Sequence, residues 1–211
     1  MGELMDNSGP YDPNRKFEDF SKEFLVKYIR ELMSDYLKMA EFWYLEIDKV
    51  VGHEKAAEIE TRVWGDKIAN VVQRRICRRG GIPHPVPTVV DALKVWQIIP
   101  DNVTSDIYKA SHEIINENHV ILTMTHCGTL EMYEKKMPER IQTLCQTCEV
   151  PIMKGYCKGV NPDMRCEALR LPPRNNPKDI ACQWEITLPP EEPARWLAID
   201  PDKRITGQAP F

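Results

Sequence analysis

The sequence predicts an α+β fold: a long N-terminal helix hairpin packed on a small antiparallel sheet of two β-hairpins with an intervening helix. Three observations carry this expectation. Apolar residues recur at three- and four-residue steps through the first half of the 211 residues. The period changes to strict alternation after Tyr108. Glycine, proline and asparagine clusters fall where the pattern breaks. One domain over residues 17–188 is expected, with a polar arm at 1–16 and a proline-rich arm at 189–211.

The first helix is expected from Phe17 to Val51. Asp19 or Ser21 can cap it, and Phe20, Phe24, Leu25, Tyr28, Ile29, Leu32, Tyr36 and Met39 form its apolar stripe. Gly52 punctuates. A second helix runs from about Glu54 to Arg79, carrying Ala56, Ala57, Ile59, Val63, Trp64, Ile68, Val71, Val72 and Ile76, and Gly80-Gly81 stops it. Pro83-His84-Pro85-Val86-Pro87 reads as an extended connector. Thr88 with Asp91 resembles a capping box and opens a short helix that ends before Pro100.

The first β-hairpin sets Tyr108, Ala110, His112 and Ile114 on one face. Asn116-Glu117-Asn118 turns the chain, and Val120, Leu122, Met124 and His126 face one way on the return. Pro138 suits the first turn of a helix reaching about Tyr156, and Asn161-Pro162 ends that region. A second hairpin pairs Met164 to Leu171 with Ile180 to Leu188. In its last strand Ile180, Cys182, Trp184, Ile186 and Leu188 are expected inward, and Ala181, Gln183, Glu185 and Thr187 outward. The tail, with Pro189, Pro190, Pro193, Pro201, Pro210 and Trp196, is expected to lie on its own domain or on a second subunit, making a homo-oligomer.

Composition narrows the function. Hydrophobic residues are 42% and charged residues 28%, enough apolar material for a sizeable core. A net charge of −4 gives no basic footprint for nucleic acid. No apolar run approaches a membrane span, and the N-terminal segment lacks the apolar stretch of a signal peptide, so a cytoplasmic protein is expected. No phosphate-binding glycine loop, nucleophile elbow or HExxH motif is present.

Six of the seven cysteines crowd the second half, and without an export signal disulfides are a poor explanation. Cys145-Gln146-Thr147-Cys148 is a CxxC inside an expected helix, where residues three apart share a face and can grip one metal. Cys127, at a strand end, with one or both of Cys145 and Cys148, and Cys182, inward on the last strand, would hold the metal or supply a thiolate. Zinc is the expected ion and iron the alternative. Simple burial as small hydrophobes is the other reading of these cysteines. His126, Glu131 and Glu149 are candidate acid–base groups. A further acidic set of Glu46, Glu58 and Glu60 with His53 could face across the helix hairpin or lie solvated on its outer side. Arg74, Arg75, Arg78 and Arg79 complement the helix dipole, or grip an anion. Arg75 and Arg79, with Trp43, are the candidate substrate-binding residues. His84 has no evident partner, and His112 reads as a core histidine.

Trp43-x-x-Glu46, then Val51-Gly52-His53-Glu54-Lys55-Ala56 and Trp64, are followed in order by Cys127, Cys145 or Cys148, Asn161-Pro162 and Cys182-Gln183-Trp184. This series resembles a bacterial and archaeal family related to L-2-amino-thiazoline-4-carboxylic acid hydrolase. The closing hairpin is also similar to the 4-vinyl reductase domain, a small-molecule-binding module. The resemblance covers residues 17–188 and implies a hydrolase that adds water to a carbon–nitrogen double bond. The surplus Cys148, Cys157 and Cys166, the proline connector and the C-terminal arm depart from that pattern.

Two functions are therefore expected in competition. The first is a metal-dependent hydrolase or lyase acting on a small organic acid or heterocycle, its bound water activated by the metal. The second is a non-enzymatic module that senses a small apolar ligand or hands on a metal.

Overall fold

The computed structural model describes residues 3–99 and 107–189. Helix α1 spans Lys22–Val51, and Ser21 caps it by accepting from the Phe24 N–H at 3.1 Å. The polar N-terminal arm is tied down at that cap: the Leu4 N–H donates to the Asp19 carbonyl and the Ser21 N–H to the Leu4 carbonyl. Gly52, at φ 82°, turns the chain into the second helical run. That run is one unbroken path in three parts: α2 (His53–Thr61), a π-helical segment (Arg62–Ile68) and α3 (Ala69–Gly80). Periodicity locates the run and not the π segment, because one widened turn shifts the apolar stripe without ending it.

The proline connector is extended as expected and pinned from both sides. The Val86 N–H donates to the Val160 carbonyl at 3.0 Å and the Asn161 side-chain amide to the Val86 carbonyl at 2.8 Å. His84 has a partner after all, the Gly159 carbonyl at 2.9 Å. Helix α4 (Val89–Trp96) starts at Thr88, whose hydroxyl accepts from the Asp91 N–H at 3.0 Å and bonds the Asp91 carboxylate at 2.8 Å. Thr88→Ala removes this cap and is expected to cost about 1 kcal/mol. Urea denaturation checks it, and an unchanged midpoint would show that the cap contributes nothing.

Strands β1 (Tyr108–Asn116), β2 (His119–Cys127), β3 (Arg165–Arg170) and β4 (Cys182–Thr187) form one antiparallel sheet in the order β1-β2-β4-β3. The two expected hairpins join through β2 and β4, pairing Val120 with Ile186 and Leu122 with Trp184. Between them lie α5 (Gly128–Lys136), a 3-10 turn (Pro138–Arg140), a second π segment (Thr143–Cys148) and α6 (Glu149–Val160). The sequence reading missed α5. The alternation expected in the last strand holds for Trp184 and Ile186, which are buried. It fails at Ala181, expected outward and found buried, because the strand begins only at Cys182.

Helix α6 lies between the second helical run and the sheet, so the hairpin reaches the sheet largely through it. Gly155 and Gly159 let α6 approach closely. A Cβ at Gly159 would sit 2.5 Å from the Ala69 carbonyl oxygen, and one at Gly155 would overlap the Gly65 carbonyl outright. Gln73, 1% exposed, fills the adjoining space. It donates to the Tyr156 carbonyl and accepts from the Trp96 indole N–H at 2.7 Å. The main core gathers Val89, Val95, Val120, Met164, Trp184 and Ile186.

Helix α1 departs from the expected packing. Ile29, Leu32 and Met39 of its stripe are exposed, as is Trp43 one turn further on, and of its residues only Tyr44 is buried. A neighbouring face, Leu37, Ala40 and Tyr44, is the one turned toward the body of the protein. Tyr36 meets Trp64 edge-on at 6.1 Å. No helix among the described residues is long and apolar enough to cross a membrane. The proline-rich arm from residue 190 onward, and the oligomer expected through it, lie outside the described residues.

Candidate functional site

A cavity of about 320 Å³ lies where the helices and the sheet meet. Its walls come from α1, α2, α4, both π segments, β1, β2, α5, α6, β4 and the loop after β3. The first π segment contributes Trp64 and the second Leu144 and Cys145. Such widened turns occur often at functional sites, since they displace a side chain without ending the helix. The wall is mainly apolar and aromatic: Leu122, Met124, Leu130, Ile152 and Trp184 sit with Tyr44, Tyr133 and Tyr156. The rim carries Lys38, Glu41 and His112, all exposed.

Three of the four candidate metal ligands reach this wall. Cys127, Cys145 and Cys182 line the cavity. Cys148 does not; it is 1% exposed and its thiol donates to the Ala57 carbonyl at 3.6 Å. The π segment is the reason. Its wider turn takes more residues to come round, so residues three apart no longer stack on one face as they would in an α-helix. The expected grip of both CxxC sulfurs on one metal is therefore corrected. Among the described residues no three His, Cys, Asp or Glu side chains are grouped to hold a metal ion. The donor set does not fit the four-cysteine zinc or iron site that the spacing predicts.

The thiols also sit in surroundings that keep their protons on. Burial pushes Cys127 up to about 11 and Cys182 up to about 12, and raises Cys145 and Cys148 as well. Cys127 caps α5 by accepting from the Leu130 N–H at 3.3 Å, and Cys182 accepts from the Trp184 indole N–H at 3.2 Å. All seven cysteines are free.

Of the acid–base candidates, Glu149 lines the cavity. His126 and Glu131 instead pair with each other at 2.9 Å, each about a third exposed, outside the lining. A bulge in β2 explains this. Lys109 pairs with His126 but Ala110 with Met124, so Thr125 is the extra residue and the faces exchange. Cys127 thus continues the face of Leu122 and Met124, where simple alternation placed His126. His112, read as a core histidine, stands at the exposed rim because it lies on the edge strand.

The substrate-binding candidates fall elsewhere. Arg75 and Arg79 are exposed on α3, and Trp43 is 65% exposed on the outer side of α1; none of the three lines the cavity. The residue next to Trp43, Tyr44, is the one turned in.

Glu60 is the residue that sequence reasoning undervalued. It was grouped with Glu46 and Glu58, which do lie outside, bonded at 2.5 Å to Lys49 and Lys55 respectively. Glu60 lines the cavity, and burial pushes its carboxyl up to about 7, with the neighbouring Trp64 acting in the opposite direction. The spacing of Glu60 and Trp64, one α-helical turn apart, is visible in the sequence; the cavity that gives it meaning is not. His53, the fourth member, lies 3.5 Å from Asp48 and 3.4 Å from the Tyr44 hydroxyl. Asp48 in turn holds Arg140 at 2.7 Å, fastening the end of α1 to the 3-10 turn.

No curated protein matches this chain. The model of a family of unknown function (DUF6125) matches residues 18–188, and the chain belongs to that family.

Proposed function

A family of unknown function leaves the cavity as the premise, and we propose that this protein binds a small, largely apolar organic molecule there. The observation that carries the reading is the cavity itself. About 320 Å³ of space behind aromatic and aliphatic walls, with few polar groups, has the size and chemistry of a small-ligand pocket. A folded core otherwise packs close to crystal density, so an apolar hollow of this size, open at its rim, is shaped to receive a ligand.

Trp64, Trp96 and Trp184 line the cavity and report on it. The neutral dye N-phenyl-1-naphthylamine is expected to bind, brightening as it leaves water and quenching the tryptophans. Leu144→Trp puts an indole into the space and is expected to weaken the dye by about tenfold or more, the loss of roughly 1.4 kcal/mol of contact. The circular dichroism spectrum should stay unchanged. No saturable binding to the wild-type protein, or equal binding to Leu144→Trp, would defeat the proposal.

A further inference from the structure

The charges around the cavity narrow the class of ligand, an inference that rests on the cavity reading. Carboxylates enter the lining from two directions: Glu60 from α2 and Glu149 from α6. Glu41 adds a third at the rim, where Lys38 is the one cationic side chain of the described lining. The arginines close by are already engaged. Arg140 pairs with Asp48, and Arg174 with Glu134. Tyr44, Trp64, Tyr133 and Trp184 line the same cavity.

The Glu60 carboxylate stands half-buried among apolar walls and is poorly solvated, and a cation entering the cavity restores what burial took away. Aromatic faces add attraction for the same sign of charge through their quadrupoles. An anion would meet the opposite on both counts. The geometry points to a small organic cation as the ligand: an ammonium group received by Glu60 and Glu149, its hydrocarbon part among the apolar walls. This reverses the organic acid expected from Arg75 and Arg79, which stand away from the cavity.

Three soluble probes of nearly equal shape test it: benzylamine, benzyl alcohol and benzoate at neutral pH, each competing with N-phenyl-1-naphthylamine on the full chain. The ammonium form of benzylamine should displace the dye at a concentration about tenfold below that of the alcohol, with benzoate weakest. Glu60→Gln and Glu149→Gln, made separately so that a folding defect in one leaves the other informative, should each narrow the amine-to-alcohol ratio. An alcohol or benzoate that competes as well as the amine overturns the inference, as does a ratio unchanged in both variants. If the dye binds and none of the three displaces it, the cation falls and the cavity reading stands. If the dye itself fails to bind, both fall.

Discussion

Gly155→Ala and Gly159→Ala are each expected to destabilise the protein by about 3 kcal/mol, against the direction that helix propensity gives. In a free helix, glycine to alanine gains about 1 kcal/mol, because alanine has less backbone freedom to lose. Here the added methyl group meets backbone. At Gly155 it would overlap the Gly65 carbonyl, and at Gly159 it would lie 2.5 Å from the Ala69 oxygen and 2.9 Å from the Gln73 amide nitrogen. A flexible side chain could swing away; a helix carbonyl moves only with its helix. The cost is therefore α6 and the second helical run moving apart, which also disturbs the bridge that Gln73 makes from Tyr156 to Trp96. Gly80→Ala is the control. A Cβ there meets only flexible side chains, Ile82 at an ordinary 3.5 Å and Ile98 at 4.0 Å, so a neutral or slightly stabilising result is expected. Chemical denaturation of the three variants reads the difference. If Gly155→Ala proves as stable as wild type, the two helices do not meet backbone to backbone.

That contact indicates what the sequence can and cannot disclose. Gly155 and Gly159 stand four apart and are plain to see, yet nothing local says that Gly65 and Ala69 oppose them. The caps at Ser21 and Thr88, the stops at Gly52 and Gly81 and the two hairpins were legible, because each depends on a few neighbouring residues. Helix α5 was not. Its N-cap is the thiol of Cys127, outside the usual Ser, Thr, Asp or Asn set. The candidate site suffered more from small shifts of phase. One π turn separates Cys145 from Cys148, one bulged residue exchanges His126 for Cys127, and one residue along α1 separates Trp43 from Tyr44. Each is a local departure from ideal geometry settled by tertiary packing, and each moves a side chain from one face to another.

Glu134→Ala is expected to cost about 3 kcal/mol at neutral pH and to loosen the wall of the cavity. The Arg174 side chain is only 3% exposed, and its Nε and Nη2 each donate to a Glu134 oxygen at 2.8 Å. A third donor, Nη1, bonds the Asp179 carbonyl at 3.0 Å. These bonds hold the loop 172–179 against α5, and Pro172 in that loop lines the cavity and accepts from the Gln146 amide at 2.9 Å. Removing Glu134 leaves a guanidinium out of water without its counter-charge, the costly half of breaking a buried pair. Replacing both partners, as in Glu134→Leu with Arg174→Leu, should restore part of the stability but not the register of the loop, so dye binding should stay weakened. The pH dependence follows from the same pair. Arg174 holds the Glu134 carboxyl below its ordinary value. Its contribution is therefore complete above the unfolded-state pKa and is lost as pH falls through the folded one. Urea midpoints at pH 7 and pH 3 should differ less in Glu134→Gln than in wild type. An equal fall in both proteins would mean that the acid lability arises elsewhere and that this pair does not secure the loop.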